Sequence, residues 1–109
     1  MFSQHENVFD TDQKGVCIKW QSGDVYFYIS EVKDAMEIHI KATSKEAKRM
    51  TRYAAKDVIL WVNVMFPWCR GLIATVSKKT VYNLCIKVGF KEVGRTDKSY
   101  LMVYDYGVC

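Results

Sequence analysis

Histidine, cysteine and proline are scarce in this chain of 109 residues, and their scarcity excludes several kinds of site. The two histidines and four cysteines include no C-x-x-C pair and no spacing typical of zinc or haem, so we expect no metal site. One proline and a hydrophobic share of 50% argue against a disordered chain. The sequence therefore predicts a single domain with an apolar core.

Long hydrophobic runs are also absent. The longest, at residues 58–67, is interrupted by Asn63 and is too short to span a bilayer. No basic segment followed by an apolar one stands at the N-terminus, where an export leader would lie. We therefore expect no membrane span and a cytoplasmic protein, in which Cys17, Cys69 and Cys85 stay reduced as small core residues.

Glycine is missing between Gly23 and Gly71, and this stretch carries the most regular pattern of the chain. Apolar residues recur there at intervals of three and four, which predicts one long amphipathic helix. The residues of this pattern are Ala47, Met50, Ala54, Val58, Trp61 and Met65. Ser44 is placed to cap the start and Pro67 must end the helix, but the all-apolar run after residue 60 leaves its last turns undecided.

Six apolar runs around the long helix predict β-strands, and a shorter helix is predicted from Thr80 to Gly89. The predicted strands span 16–20, 25–29, 36–42, 72–76, 91–95 and 100–106. The order is β-β-β-α-β-α-β-β, which predicts an α/β (α+β) domain with a mixed, mainly antiparallel sheet at residues 15–109. Residues 1–14 are polar and weakly patterned, and we interpret them as an N-terminal arm.

This order, together with Val-Gly-Phe-Lys-Glu-Val-Gly-Arg at 88–95, resembles the GNAT acetyltransferase superfamily. The resemblance covers about residues 16–106 in topology and implies a GNAT-like fold. For an enzyme it implies an N-acetyltransferase that uses acetyl-CoA. The family's N-terminal strand and its two substrate-covering helices have no counterpart in residues 1–14, so we expect them to be missing.

Members of the family hold the cofactor pyrophosphate on a glycine-rich turn at the start of the long helix. The best matching register here is Arg49-x-x-Arg52-x-Ala54, which has an arginine where the resemblance requires glycine. The candidate cofactor-binding residues are therefore basic ones, namely Lys45, Lys48, Arg49 and Arg52. With Lys56 they form what we call the basic helix face, which is suited to phosphates of CoA or of nucleic acid, or to solvent alone.

Three residues are candidates for acid–base chemistry. The resemblance places Cys85 where the family has a tyrosine general acid, and Lys78 where it has an asparagine, so neither position keeps its usual chemistry. Glu37 and His39 share the charged face of the third predicted strand, where such side chains can relay the proton of an amine. Each also has a structural interpretation, a packed thiol for Cys85 and simple exposure for Glu37 and His39.

Tyrosines share one face of two predicted strands, Tyr26 and Tyr28 on the second and Tyr104 and Tyr106 on the last. With Lys56 they are candidate contacts to a protein partner, although the same rows can pack under helices. A sheet that lacks its edge strand and covering helices exposes apolar area, so we expect self-association or a partner.

Because the phosphate turn and the substrate cover are missing, the sequence favours a non-catalytic assembly protein that needs no cofactor. It is similar to small GNAT-like head-assembly or internal virion proteins of tailed bacteriophages, which places it in the host cytoplasm or the virion. The first alternative is an acetyl-CoA-dependent N-acetyltransferase with an atypical cofactor site. The second is a nucleic-acid-binding module that uses the basic helix face.

Overall fold

A seven-stranded sheet organises the computed structural model, which describes residues 1–11 and 14–107. The strands are β1 (Phe2–His5), β2 (Val16–Trp20), β3 (Val25–Val32), β4 (Ala35–Ala42), β5 (Gly71–Val76), β6 (Lys91–Arg95) and β7 (Tyr100–Asp105). Helices α1 (Lys45–Arg49) and α2 (Thr51–Met65) lie between β4 and β5 in the chain, and α3 (Lys79–Val88) lies between β5 and β6. The fourth cysteine, Cys109, lies outside the described residues.

The strands lie side by side in the order β1-β2-β3-β4-β5-β7-β6. β4 and β5 pair in parallel, and every other neighbouring pair in the described residues is antiparallel. The helices between β4 and β5 make the crossover that a parallel pair requires. The predicted mixed and mainly antiparallel sheet is confirmed.

The first strand, β1, lies where the sequence predicts only an arm. It pairs with β2, with Phe2 opposite Trp20 and His5 opposite Cys17. Phe2 anchors it, because its ring centroid lies 5.8 Å from that of Phe27 and 5.4 Å from that of Trp61. The expectation that an N-terminal strand is missing is therefore wrong. Between β1 and β2, the described residues contain no helix.

The long helix is interrupted at Met50. Ser44 caps α1 as predicted, since its Oγ accepts the amide of Ala47 at 3.0 Å. The amide of Met50 then donates to Ala47, three residues back, and the hydroxyl of Thr51 donates to the Lys48 carbonyl at 3.0 Å. These local bonds interrupt the α-helical ladder. α2 starts afresh at Thr51 and runs through the apolar segment to Met65, which settles where the helix ends.

Helices α2 and α3 cover one face of the sheet, which we call the core face, and the opposite one is the far face. The largest fully buried side chains are Phe27, Leu72, Met102, Val25, Val58 and Val62. Trp20 Nε1 donates to Asp57 Oδ2 at 2.8 Å and ties β2 to α2. Cys17, Cys69 and Cys85 are free and buried, as predicted. Within the described residues, no helix is long and apolar enough to cross a membrane.

Helix α3 ends as predicted at Gly89, which has a left-handed φ of 110°, and Phe90 then returns to the core. The predicted start at Thr80 is wrong, because Lys78 occupies the N-cap position and no side chain caps the helix. Because no side chain caps α3, the sequence carries no signal that identifies the first residue of this helix.

Replacing Gly89 by alanine should destabilise the protein by about 1–2 kcal/mol or more, because a β-carbon is disfavoured in left-handed backbone. The new Cβ would also lie 2.9 Å from the Tyr104 ring. Urea unfolding followed by tryptophan fluorescence measures the change. Gly94→Ala is the matched control, since its Cβ meets Leu101 only at 3.7 Å. Equal stability of G89A and wild type would contradict this account of the helix end.

Candidate functional site

The parallel strands β4 and β5 separate soon after they meet. They pair at Met36–Leu72 and Glu37–Ile73 within the described residues, although β4 continues to Ala42 and β5 to Val76. Beyond these two pairs, the backbone groups of β4 that face β5 have no ladder partner on that strand. The sheet therefore has an internal gap bordered by backbone donors and acceptors.

A cavity of about 300 Å³ lies at this gap. Its lining includes Ile38 and Ile40 from the core face of β4, but also His39 and Thr75, which alternate with core residues and face the other way. Seven further lining residues come from the two helices, Ala55, Val58 and Ile59 from α2 and Val81, Leu84, Cys85 and Val88 from α3. The cavity thus passes through the sheet from the helix layer to the far face.

Glu37 and His39 lie together at the far-face side of the cavity. His39 Nε2 is 3.1 Å from Glu37 Oε1, and both side chains are partly exposed. A neutral imidazole that donates Nε2–H to this carboxylate leaves Nδ1 as a proton acceptor. The sequence places these residues on one strand face, and the structure brings them into a hydrogen-bonded pair. Their catalytic role stays a prediction.

The connection between β1 and β2 covers part of the far face near this pair. Phe9 lines the cavity, and its ring centroid lies 5.8 Å from that of Tyr28. Lys41 Nζ donates to the Val8 carbonyl at 2.7 Å and holds the same segment down. Phe9 and Thr75 are site residues that sequence reasoning misses. No local pattern marks them, because both reach the cavity through the separation of two strands.

Cys85 lies in the cavity wall and is almost fully buried. Desolvation raises the pKa of its thiol to about 11. A thiolate leaving group has a pKa near 8.5, so proton transfer from Cys85 to such a group would be uphill. The geometry favours the packed-thiol interpretation over a general acid, in line with the position of Cys85 in the apolar stripe of α3.

The basic helix face surrounds the break between α1 and α2. Its five members are Lys45, Lys48, Arg49, Arg52 and Lys56, all of them exposed. Arg52 lies over the ring of Tyr53, with its Cζ 5.5 Å from the centroid, and the described residues offer none of the five a salt bridge. α2 has no side-chain cap and no acidic residue in its first turn. Its first amides and the adjacent cations together form a positive region.

The candidate partner-contact tyrosines all pack against other parts of the chain. Tyr28 is buried, and Tyr26 is partly buried with its ring 4.9 Å from that of His5. Tyr104 lies 5.7 Å from Phe90 by ring centroids, and Tyr106 Oη donates to the Ile59 carbonyl at 2.6 Å. A contact role for these residues and for the exposed Lys56 stays a prediction. No group of three or more potential metal ligands occurs among the described residues.

Several solved structures with a similar arrangement are acetyltransferases. Ribosomal-protein-S5-alanine acetyltransferase from Vibrio fischeri superposes with a TM-score of 0.69 at 12% identity, over 84% of this chain and 61% of that one. A spermidine N-acetyltransferase chimera from Vibrio cholerae gives 0.65 at 12% identity, over 86% and 71%. The chain has the GNAT fold.

An acetyltransferase of the GNAT family from Bacillus anthracis gives a TM-score of 0.63 at 14% identity, over 84% of this chain and 66% of that one. The chain thus spans about three fifths to two thirds of the length of several such structures. No protein-family model and no curated protein sequence matches it. The GNAT-like fold is confirmed, whereas the similarity to bacteriophage head-assembly proteins finds no support among these structures.

Stability should fall as the pH rises from about 9 to about 11. The Cys85 thiol ionises in the unfolded chain near its ordinary pKa of 9.0, but in the folded protein only near 11. Its contribution is therefore complete below the lower value and lost as the pH passes the upper one. Burial also raises the pKa of Cys69 and of Tyr106, which act in the same direction. Urea unfolding at a series of pH values measures this loss.

Cys85→Ala is the control for the pH series, because it removes one of the ionising groups and should flatten the decline. A decline of the same slope in the variant and the wild type would show that Cys85 does not contribute.

Proposed function

We propose that the protein binds an acyl-CoA in the gap between β4 and β5 and transfers the acyl group to an amine. The observation that carries this proposal is the cavity through the sheet, which joins the helix layer to the Glu37–His39 pair on the far face. The acetyltransferase neighbours favour this enzyme over a non-catalytic assembly protein. Their identities of 12–14% support the fold alone, so the activity is inferred from the site.

The basic helix face and the gap each offer groups that fit such a ligand. Arg49 and Arg52 would bind its phosphates through their guanidinium groups, which need no glycine because the contact is made by side chains. The uncapped amides of α2 add to the same positive region. The unpaired backbone of β4 beyond Glu37 offers hydrogen bonds to an amide-bearing chain in the gap. When bound, acyl-CoA supplies the activated thioester.

The chemistry assigned to this chain is proton transfer at the far face. His39 Nδ1 accepts a proton from the attacking amine while Nε2–H stays hydrogen-bonded to Glu37. The amine nitrogen would bond to the thioester carbon as the carbon–sulfur bond breaks, and CoA would leave as its thiolate and take a proton from water. The carboxylate stabilises the imidazolium that forms and fixes the ring orientation. Phe9, whose ring packs against that of Tyr28, lines the same cavity as His39.

Calorimetric titration of acetyl-CoA tests the proposal. We expect binding by the wild type, and about tenfold or greater loss of affinity in the Arg49→Ala, Arg52→Ala double variant, because two charge-assisted contacts are removed. Lys91→Ala with Lys98→Ala is the matched control, since it removes the same charge from exposed residues remote in sequence from α2. An absence of heat at millimolar acetyl-CoA would refute the proposal.

His39→Ala separates binding from catalysis in the same series. It should bind acetyl-CoA like the wild type and lose about a hundredfold or more in turnover with an amine acceptor. DNA binding that weakens steeply with salt, in a protein without affinity for acetyl-CoA, would instead favour the nucleic-acid-binding alternative.

A second candidate function, assembly through protein contacts, is favoured by the exposed side of α2. Tyr53, Leu60 and Val64 recur at helical spacing on this side and are 51%, 61% and 76% exposed. The partner we propose for it is a second copy of the chain. Two α2 helices packed antiparallel would bring the two copies of Leu60 together near the middle of the contact and keep the two basic helix faces at opposite ends, apart from each other.

This candidate predicts a dimer in solution that Leu60→Glu converts to a monomer, because a carboxylate would be buried at the centre of the contact. Light scattering coupled to size exclusion measures the mass. Asn83→Glu introduces the same charge on the exposed surface of α3 and should leave the mass unchanged. A wild-type protein that is monomeric at all accessible concentrations would refute self-association through α2.

A further inference from the structure

The inner wall of the β4–β5 cavity is built from hydrocarbon side chains. α2 contributes Ala55, Val58 and Ile59, and α3 contributes Leu84 and Val88. All five lie between the helices and the core face of the sheet. This part of the cavity offers no charged group to a ligand. Binding there is favourable only because it removes apolar surface from water.

Cys85 completes this wall with a short side chain. Its thiol stays neutral under ordinary conditions and acts as a small hydrophobe rather than as a polar contact. A longer apolar side chain at this position would take up part of the cavity volume.

Polar side chains of the lining are found at its two ends. His39 and Thr75 face the far side of the sheet, and Ser77 and Lys78 lie where β5 passes into α3. An apolar interior beside these polar positions fits a ligand with a hydrocarbon part joined to a polar group. An acetyl group has one methyl and uses little of such a wall.

We propose that the cavity accommodates acyl chains longer than acetyl, so that the preferred ligand is an acyl-CoA whose acyl group has about four to six carbons. This inference rests on the proposed function and names the substrate class of the same site. The acyl chain lies along Val58, Leu84 and Cys85, and the thioester carbonyl remains near the gap in the sheet.

Calorimetric titration with CoA, acetyl-CoA, butyryl-CoA and hexanoyl-CoA tests the inference. Affinity should rise about fourfold with each added methylene group, because its burial contributes about 0.8 kcal/mol and 1.4 kcal/mol is a factor of ten. Affinity for CoA itself measures the part of binding that is independent of the acyl chain.

Two variants locate the gain in this cavity. Cys85→Leu and Ala55→Val each add volume to the wall from a different helix, and both should lose the gain in affinity with chain length, measured relative to the affinity of the same variant for CoA. Val93→Leu enlarges an exposed side chain on β6 that does not line the cavity and should keep the gain. The melting temperature of each variant shows whether it folds. If a variant fails to fold, the change in affinity with chain length in the wild type still tests the inference.

The outcomes separate this inference from the proposed function. Affinity that is flat or falls with chain length, while CoA and acetyl-CoA bind, would overturn the inference and leave the proposed function standing. A gain that persists in both wall variants would also overturn it, because the chain would then bind elsewhere. Failure of every CoA derivative to bind would refute the proposed function and the inference with it.

Discussion

The packing of α2 against the sheet is the constraint on which the rest of the structure depends. Ala54 and Val62 have no exposed surface and Val58 has 1%, and they share one core with Phe27 and Leu72, which come from strands on either side of the gap. Small side chains at these positions let the helix approach closely. Because β4 and β5 pair at only two positions, α2 supplies much of the cohesion across the sheet.

Two hydrogen bonds fix α2 from opposite directions. Trp20, in the half of the sheet before the gap, donates to Asp57, and Tyr106, just after β7 in the other half, donates to the Ile59 carbonyl. Trp20, Asp57 and Tyr106 do not line the cavity, whereas Ile59 does. Both hydrogen bonds therefore hold the cavity-lining helix through side chains that lie outside the cavity.

Much of this architecture can be predicted from local patterns. The alternation of apolar and polar residues identifies β2 to β4, and apolar residues at intervals of three and four identify α2. Burial of one face of a strand or helix produces these regular spacings. β1 is not predicted because Phe2 is the single apolar residue in Phe-Ser-Gln-His, so the strand shows no alternation. The break at Met50 is not predicted because the hydrogen bonds of Thr51 and Met50 that cause it are accepted by backbone carbonyls. These bonds leave the spacing of the apolar residues unchanged.

The candidate site is only partly predictable for a different reason. Glu37 and His39 lie two residues apart on one strand, so their meeting follows from strand geometry alone. The cavity depends on where two strands distant in the chain cease to pair, and no window of sequence contains that information. The position of Cys85 in the apolar stripe of α3 predicts that its side chain is buried. The sequence does not predict that Cys85 lines the cavity, because the cavity depends on where β4 and β5 separate.

The short pairing between β4 and β5 divides the sheet into a four-stranded part, β1-β2-β3-β4, and a three-stranded part, β5-β7-β6. The two parts share one helix layer. A ligand that bound in this gap would contact both parts of the sheet and add hydrogen bonds between them. Its binding would therefore stabilise the sheet at the point where the two parts are joined by the fewest strand pairs.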